Sequence, residues 1–303
     1  MKLGWIGIGR MGYAMAERLA KAGADLTVWN RTRAKAEPLA AHGAKVASRL
    51  SELAACDIVF VMVSTWDDVR EVIAGPQGLL SGTAAPKLVV ECSSISLEGS
   101  AELRALLGAR GVAMLAAPVS GNAKVIKAGR LSFVCSGPRA AFDTALPWMK
   151  AIAPSASYVG EGELARIVKI CHNVFLGVVI QSLAEITVLA QKAGVPRHAF
   201  LDFINQSVMG STFSRYKTPA LVNLDFKVTF TPKLLRKDLD LGLDAARQFE
   251  APMPLASLTR DLLQSLIGHG MDEEDFAKLI VLQAKAAGLT LQPENVAVDD
   301  GLA

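Results

Sequence analysis

The sequence predicts an α/β fold: a domain with a mostly parallel sheet, followed by an all-α domain that a long helix joins to it. Two observations predict this architecture. Short apolar runs alternate with helical patterns over roughly the first 160 residues, which is typical of βαβ units. After residue 162 the alternation stops and the later segments are helical. The expected domains are residues 1–162 and 163–290, with a C-terminal tail of residues 291–303.

Six apolar runs are the expected strands. Each has the length of a strand and is followed by turn residues or by a helical pattern. Parallel neighbours need a crossover connection, and the helical patterns between the runs supply it. The runs cover residues 3–7, 26–29, 58–62, 88–91, 113–117 and 131–135.

A glycine motif lies between the first strand and the first helix. Gly7, Gly9 and Gly12 have the GxGxxG spacing, with Arg10 and Met11 inside it. The first glycine permits a tight turn, the second lets the backbone approach a pyrophosphate, and the third lets helix pack on strand. The helix N-terminus also presents unpaired N–H groups to phosphates. The motif therefore predicts a Rossmann-type dinucleotide site rather than an ordinary βα turn.

The residues after the second strand favour NADP over NAD. An acidic side chain there would accept the ribose 2′-hydroxyl of NAD and repel a 2′-phosphate. This chain has Asn30, Arg31, Thr32 and Arg33 instead. The amide and hydroxyl can donate hydrogen bonds, and the two guanidinium groups can pair with a phosphate dianion. The alternative is a solvated loop that carries two arginines.

Composition argues against several other classes of protein. The 303 residues allow two domains and a sizeable core, and the net charge of +3 gives no reason to expect nucleic acid or a membrane as a partner. Four cysteines and four histidines are dispersed without a CxxC or Cys/His cluster, so we expect neither a metal site nor a disulfide framework. This cysteine usage, and a first strand that leaves no room for a signal peptide, indicate a cytoplasmic protein. The apolar stretch 170–184 is too short to span a bilayer.

The second half of the chain predicts several helices. Residues 163–193 contain no proline and no internal turn signal, which predicts one helix of about 30 residues. Thr231 and Pro232 are typical of an N-cap and a first helical turn, in a helix running to about residue 249. Further helices are expected over 254–267 and 272–287, and the tail from residue 292 is expected to be loose. The apolar helix 163–193 also predicts a homodimer or homotetramer, with this helix at or near the interface.

Two segments carry candidate catalytic or substrate-binding groups. Lys169 and Asn173 are four residues apart on the long helix and share a face. A partly desolvated lysine beside a cofactor can transfer a proton, although this one can also reach solvent in a charged stripe with Arg166. The turn of Ser120, Gly121 and Asn122 offers a hydroxyl, an amide and backbone N–H groups to a carboxylate. The same turn can also be a strand-to-helix connection with a cap.

In these motifs the chain resembles the β-hydroxyacid dehydrogenase family, which contains 3-hydroxyisobutyrate dehydrogenases, tartronate semialdehyde reductases and glyoxylate/succinic semialdehyde reductases. The resemblance covers roughly residues 2–288, with the motifs in the family's order. The family's GxGxMG matches residues 7–12, its cofactor segments match Met62-Val63-Ser64 and Ser93-Ser94, and its substrate motif matches residues 116–122. Its Lys and Asn match Lys169 and Asn173, and its Lys-Asp-Leu matches residues 237–239.

Three positions depart from the family's pattern. Ala116 replaces the usual Asp, Asn122 replaces the usual second Gly, and Met62-Val63-Ser64 lacks the usual Pro. The first two changes fall in the substrate motif, so the resemblance leaves the substrate open.

The resemblance implies reversible hydride transfer between a nicotinamide and a small β-hydroxy acid, such as 3-hydroxyisobutyrate, glycerate or a hydroxy amino acid, or the semialdehyde of such an acid. Lys169 would be the general base in oxidation and the general acid in reduction, and Asn173 would bind the reacting group or orient the lysine. Ser120, Gly121 and Asn122 would hold the substrate carboxylate. The implied cofactor contacts are Gly7, Gly9, Arg10, Met11, Gly12, Asn30, Arg31, Thr32, Val63, Ser64, Ser94 and Lys237, the last of which would help to close the cleft.

Other readings remain at this point. Residues 169–173 also resemble the Lys-x-x-His-Asn of decarboxylating 6-phosphogluconate dehydrogenases, which have a much longer helical domain. Imine-reducing enzymes share the architecture but typically lack the lysine. A non-catalytic NADP-binding scaffold would keep the glycine motif and lose the lysine, whereas this chain keeps both.

Overall fold

A computed structural model describes residues 1–302, and all structural statements below concern that span. It forms two compact units, the first comprising Met1–Lys169 and the second beginning at Ile170. The strands are β1 (Lys2–Ile6), β2 (Asp25–Trp29), β3 (Lys45–Val46), β4 (Ile58–Val61), β5 (Leu88–Glu91), β6 (Ala113–Ala116), β7 (Val119–Ser120), β8 (Ser132–Cys135) and β9 (Ser155–Tyr158). The α-helices are α1 (Arg10–Lys21), α2 (Trp66–Ala74), α3 (Leu97–Gly108), α4 (Ala123–Lys127), α5 (Arg139–Ile152), α6 (Leu164–Lys192), α7 (Arg197–Gln206), α8 (Thr212–Asn223), α9 (Pro232–Gln248), α10 (Pro254–Gly268) and α11 (Leu279–Ala286).

The first unit is built on a parallel sheet with the strand order β3-β2-β1-β4-β5-β6. The chain crosses from one half of this sheet to the other beside β1, which pairs with β2 on one side and β4 on the other. Side chains alternate between the two faces of the sheet. Trp5 and Phe60 stack in the core that includes residues of α1 and α5, while Ile6 and Val61 lie in the core that includes residues of α2 and α3. The predicted α/β architecture with a following helical domain is confirmed.

One of the six predicted strands belongs elsewhere. β8 lies in a second sheet, where it pairs antiparallel with β7 and parallel with β9. The sequence also missed β3, β7 and β9. β3 and β7 have two residues each, too few for a periodic signal, and β9 consists of Ser-Ala-Ser-Tyr rather than an apolar run.

The helices of the second unit follow the predicted pattern in part. The long helix is confirmed as α6, and α9 begins at Pro232 with the Thr231 hydroxyl accepting a hydrogen bond from the backbone N–H of Leu234. The sequence did not delimit α7 and α8, and α8 contains Pro219, a residue that argues against a helix interior. The start predicted at residue 272 for the last helix is wrong. Asp275 caps a short 3-10 turn through the N–H of Ala277, and α11 follows from residue 279.

The C-terminal tail is held in place, so the expectation of a loose tail is wrong. The buried guanidinium of Arg197 donates to the carbonyl of Gln292 at 2.5 Å, and the Glu294 carboxylate accepts the backbone N–H groups of Arg197 and His198. Asn223 exchanges two hydrogen bonds with the backbone of Val296. These contacts could not be predicted from the composition of the tail, because their partners, among them the buried Arg197, lie in other parts of the second unit.

Helix α6 is long and apolar enough to cross a membrane by length and composition alone. The prediction from the sequence considered only the apolar stretch 170–184 and therefore underestimated the length of this helix. Half of its most apolar segment is buried within the protein, as in the core helices of soluble proteins, which pass the same test. One such helix is weak evidence for a membrane span.

Asp275 is expected to make the second unit sensitive to acid. Burial alone would raise its pKa, but the Lys217 ammonium at 2.6 Å and hydrogen bonds from Lys217, Ala277 and Thr229 outweigh burial, so the pKa lies below its usual range. A lowered folded pKa stabilises the fold above the unfolded value of about 3.9, and this contribution disappears as the pH falls through the folded pKa. Asp275→Asn should lose about 3–5 kcal/mol at pH 7, because it leaves Lys217 buried without its counter-ion.

Urea unfolding of wild type and Asp275→Asn at pH 7, 5 and 3 tests this expectation. The difference between the two proteins should shrink only below pH 4. Asp202→Asn, on an exposed residue of α7, is the control and should change little at any pH. A difference that stays constant down to pH 3 would contradict the assignment.

Candidate active site

The glycine turn after β1 combines two tight contacts with one open position. A Cβ on Gly7, whose φ is +97°, would lie 2.1 Å from the carbonyl oxygen of Met62, and a Cβ on Gly12 would lie 1.9 Å from that of Gly7. A Cβ on Gly9 would meet nothing within 4 Å. Gly9 is also the N-cap of α1, which has no side-chain cap and no acidic residue in its first turn. Open space at an uncapped helix N-terminus fits the pyrophosphate of a dinucleotide.

Asn30 ties the end of β2 to this turn. Its Oδ1 accepts the backbone N–H of Ile8 at 2.9 Å, and its Nδ2 donates to the carbonyl of Thr32 at 2.9 Å. The sequence suggested that this amide donates to the cofactor. In the structure the contacts of this amide fix the shape of the loop that would hold the cofactor, and its donation to the cofactor stays a prediction.

The two arginines after β2 differ in their surroundings. Arg31 is 86% exposed, with its guanidinium 3.5 Å from the Asp68 carboxylate. Arg33 donates to the carbonyl of Ala47 and the hydroxyl of Ser48, both in its own unit. Exposed ion pairs of this kind contribute little, so Arg31 can exchange Asp68 for a phosphate at small cost.

The two cofactor segments inferred from the family lie side by side at the carboxyl ends of β4 and β5. The Ser93 hydroxyl accepts the backbone N–H of Val63 at 3.0 Å, and the N–H of Ser93 donates to a Glu91 carboxylate oxygen at 2.8 Å. Ser64 is exposed and Ser94 is half-buried. Ligands bind at this edge of parallel sheets, which agrees with the inferred role of both segments.

Arg166 joins the first turns of α6 to these strand ends. Its side chain is 1% exposed and forms an ion pair with the fully buried Glu91. It also donates to the carbonyl of Ser93 at 2.7 Å and to the Ser100 hydroxyl at 3.0 Å. The alternative interpretation, in which Lys169 reaches solvent in a charged stripe with Arg166, is therefore wrong for Arg166. Sequence reasoning missed Glu91 and Arg166, because nothing in the pattern distinguishes a buried charge from a surface one.

Cys92 lies between Glu91 and Ser93 but is not arranged as a nucleophile. Burial and the neighbouring Glu91 raise the pKa of its thiol well above the usual value. The protonated thiol is the unreactive form. Within residues 1–302, no group of three or more His, Cys, Asp or Glu side chains is arranged to hold a metal ion.

Lys169 and Asn173 lie on one face of α6. Lys169 is half-buried and follows Arg166 by three residues, about one helical turn. Asn173 is buried, and its Nδ2 donates to Asp238 Oδ2 at 2.5 Å. Its Oδ1 lies 3.0 Å from His172 Nδ1.

Asp238 brings a second inferred motif to Asn173. The ammonium of Lys237 lies 3.3 Å from Asp238 Oδ1, close enough for an ion pair although the geometry is not that of a hydrogen bond. The second unit thus joins the Lys-Asp-Leu motif of α9 to the Asn of α6. The sequence assigned no role to Asp238.

Two glycines explain why α6 and α9 approach so closely. A Cβ on Gly242 would lie 2.3 Å from a methyl of Val174, and a Cβ on Gly177 would lie 3.3 Å from a methyl of Leu239. The small residues let the helices pack with little space between them. This close packing brings Asp238 within hydrogen-bonding distance of Asn173.

The Ser-Gly-Asn turn lies between β7 and α4. Asn122 Oδ1 caps α4 by accepting the N–H of Val125 at 3.1 Å. Gly121 has a φ of +136°, and a Cβ there would lie 2.8 Å from Val125. The capped connection is present and Ser120 is half-buried beside it, while carboxylate binding by this turn stays a prediction. The cap engages only the Asn122 oxygen, so the donors that the turn could offer an anion are the Ser120 hydroxyl, the Asn122 amide nitrogen and backbone N–H groups.

Two family models match the chain in succession. The NAD-binding domain of 6-phosphogluconate dehydrogenase matches residues 2–160, and the NAD-binding region of NADP-dependent 3-hydroxyisobutyrate dehydrogenase matches residues 163–283. Together they cover both units.

Individual proteins agree with these matches. Glyoxylate/succinic semialdehyde reductase 2 of Arabidopsis thaliana is 30% identical over 281 residues, which are 92% of this chain and 78% of the relative. The human cytokine-like nuclear factor N-PAC is 30% identical over 275 residues, and this chain spans about half of its length. The crystal structure of a Salmonella typhimurium 3-hydroxyisobutyrate dehydrogenase superposes with a TM-score of 0.83 at 28% identity, covering 93% of this chain and 99% of that one.

The chain that these two models match thus contains the glycine turn, the strand-end segments and the motifs of α6 and α9. These likenesses indicate a hydroxyacid dehydrogenase that uses a nicotinamide cofactor. The chain belongs to the β-hydroxyacid dehydrogenase family.

Proposed function

We propose that this protein catalyses reversible, NADP-dependent hydride transfer on a small β-hydroxy acid or the corresponding semialdehyde, with Lys169 as the proton-transfer group. The observation that carries the proposal is the position of Lys169. Lys169 is half-buried. One helical turn before it, Arg166 donates a hydrogen bond to the carbonyl of Ser93, just after the end of β5. The names of the two enzyme relatives contain succinic semialdehyde, the aldehyde of a γ-hydroxy acid, and 3-hydroxyisobutyrate, a β-hydroxy acid, so both relatives are named for small acids with an aldehyde or hydroxyl group near the carboxylate.

The residues divide the chemistry between them. A bound nicotinamide supplies the hydride acceptor in oxidation and the hydride donor in reduction. Neutral Lys169 takes the hydroxyl proton as the alcohol is oxidised, and its ammonium returns that proton to the oxygen in reduction. Ser120, the backbone at Gly121 and the amide nitrogen of Asn122 bind the substrate carboxylate. Asp238 fixes the Asn173 amide by hydrogen bonding, so that the amide meets the reacting oxygen without reorganising.

A spectrophotometric screen at 340 nm tests the reaction. NADP and NAD are offered separately with 3-hydroxyisobutyrate, glycerate, 4-hydroxybutyrate, threonate, serine and threonine, and NADPH with the semialdehydes and glyoxylate. Turnover with one group names the substrate class. Including 6-phosphogluconate tests the decarboxylase alternative, and silence with every substrate while NADPH still binds would favour a non-catalytic scaffold.

The Lys169→Met variant tests the catalytic assignment. Losing a general acid–base should lower kcat by about 10²–10⁴-fold, with NADPH affinity unchanged. Lys192→Met is the matched control, because this lysine lies on the same helix and donates to the carbonyl of Ala287. It should keep wild-type kcat. A Lys169→Met enzyme that retains more than a tenth of wild-type kcat would contradict the role.

The preference for NADP is assigned to Arg31. Its exposed guanidinium is paired only loosely with Asp68, and a 2′-phosphate offers it a stronger, charge-assisted bond. Arg31→Ala should weaken NADPH binding on the order of 10-fold, as expected for losing about 1.5 kcal/mol, and leave NADH binding unchanged. Asn30→Ala is the contrasting variant, since it loosens the loop itself and should weaken both cofactors alike. Equal losses of both cofactors in Arg31→Ala would refute the assignment, as measured by fluorescence titration.

We also propose a homodimer or homotetramer in which α6 packs against a second copy. Its exposed side chains repeat at spacings of three, four and seven residues, which keep them on one face. The repeating set is Leu164, Val168, Cys171, Phe175, Ser182, Ile186 and Leu189, mostly apolar, and the charged Glu185 and Lys192 are the other exposed side chains of the helix. Phe175 and Leu189 are each 69% exposed, which is costly for large apolar groups unless a partner covers them.

Sedimentation of wild type and Phe175→Glu at micromolar concentration tests this interface. Wild type should sediment as an oligomer and Phe175→Glu as a monomer, because a carboxylate in an apolar interface is left desolvated. Phe249→Glu, at a phenylalanine after α9 that is 60% exposed, is the control and should stay oligomeric. Monomeric wild type would overturn the proposal.

A further inference from the structure

A buried charge cluster lies at the start of α6, between the strand-end segment that includes Ser93 and the helical turn that carries Lys169. It contains Arg166, Glu91, Ser93 and Ser100, all buried, with Glu163 at its edge. The Glu163 carboxylate accepts the Ser100 hydroxyl and the Arg104 guanidinium. Each of these residues lies in the first unit.

Arg166 holds Ser93 from two sides. Its guanidinium donates to the Ser93 carbonyl at 2.7 Å, and its partner Glu91 accepts the Ser93 N–H at 2.8 Å. The Ser93 hydroxyl in turn accepts the N–H of Val63. One guanidinium therefore fixes the backbone around Ser94 and Val63, the two strand-end segments assigned to the cofactor.

The same side chain fixes the proton-transfer group. Arg166 lies on α6 three residues before Lys169, which is a rise of about 4.5 Å on the same helix face. Its three bonds point to a strand end and a neighbouring helix, so α6 cannot rotate or slide there without breaking them. The position of Lys169 relative to Ser93 and Ser94 thus depends on this cluster.

We propose that Arg166, together with Glu91, is a positioning residue for hydride transfer, one that sets Lys169 against the strand ends that hold the nicotinamide. The proposal rests on the proposed function. It predicts that losing the cluster disturbs the nicotinamide half of the cofactor and the chemical step, and leaves the adenosine half alone. The adenosine half is held elsewhere, by the glycine turn and the loop after β2.

The test compares NADPH with 2′,5′-ADP, which contains only the adenosine half, in wild type, Arg166→Lys and Glu91→Gln. Lysine keeps the charge, but its single ammonium nitrogen replaces a planar guanidinium whose three separate nitrogens bond Ser100, Ser93 and Glu91. In both variants the Kd of NADPH should rise about 3–10-fold, while that of 2′,5′-ADP stays within about 2-fold, because only the nicotinamide side loses its support. The kcat should fall about 10–100-fold, as misplacing a catalytic group by about 1 Å does.

Arg197→Lys is the matched control, because Arg197 is equally buried, in the second unit, and donates to the backbone carbonyls of Leu221, Val222 and Gln292. It should lower Tm without changing the ratio of the two Kd values. Glu91→Gln keeps the test open if Arg166→Lys does not fold, because glutamine retains an acceptor for the Ser93 N–H.

Two results would overturn the proposal. One is equal weakening of NADPH and 2′,5′-ADP in a folded variant, and the other is an unchanged NADPH affinity together with wild-type kcat. If wild type turns over no substrate, the proposed function fails, and the two Kd values still decide whether Arg166 supports the nicotinamide side.

Discussion

The ion pair between Glu91 and Arg166 is the constraint on which the site in the first unit depends. Burying two full charges costs several kcal/mol for each, and the cost is recovered only when every polar atom of the pair is bonded. Here the guanidinium and the carboxylate also bond to Ser93 and Ser100, so the pair is stable in one arrangement only. Removing either partner would leave a buried charge alone, at about 3–5 kcal/mol. A cost of that size is a large share of the stability of a typical domain, so the geometry of the strand end is strongly specified.

The second unit orients its candidate groups in a different way. There the determining feature is close packing of α6 on α9, made possible by Gly177 and Gly242. This packing turns two residues distant in the sequence, Asn173 and Asp238, into a hydrogen-bonded pair. A larger side chain at residue 242 would collide with Val174 and separate the helices. The first unit therefore orients its groups by charge, and the second orients its groups by the close packing of two helices at glycine positions.

The sequence predicted what depends on local pattern. The parallel strands, the glycine turn, the 29-residue helix and the Thr231 cap all follow from periodicity, glycine spacing or capping chemistry, and the structure contains each of them. What it missed depends on long-range pairing. Glu91 reads as the end of a strand and Arg166 as a surface residue until the fold brings them together. The docked tail is similar, since its contacts centre on the buried Arg197.

Helix α6 combines two requirements by separating them around its axis. At about 100° per residue, Arg166, Lys169, Asn173 and Gly177 fall on one face, within about 80° of one another. The exposed positions from Val168 to Leu189 centre about 180° away. The apolar character of α6, which looks like a single property in the sequence, therefore has two causes. One face is apolar because it packs within the protein around a few placed polar groups, and the other is apolar without a partner in the single chain. A substitution on the outer face is therefore expected to leave the groups on the other face in place. At the start of the helix the bonds of Arg166 oppose rotation about the helix axis, so they fix where Lys169 lies relative to the strand ends of the first unit.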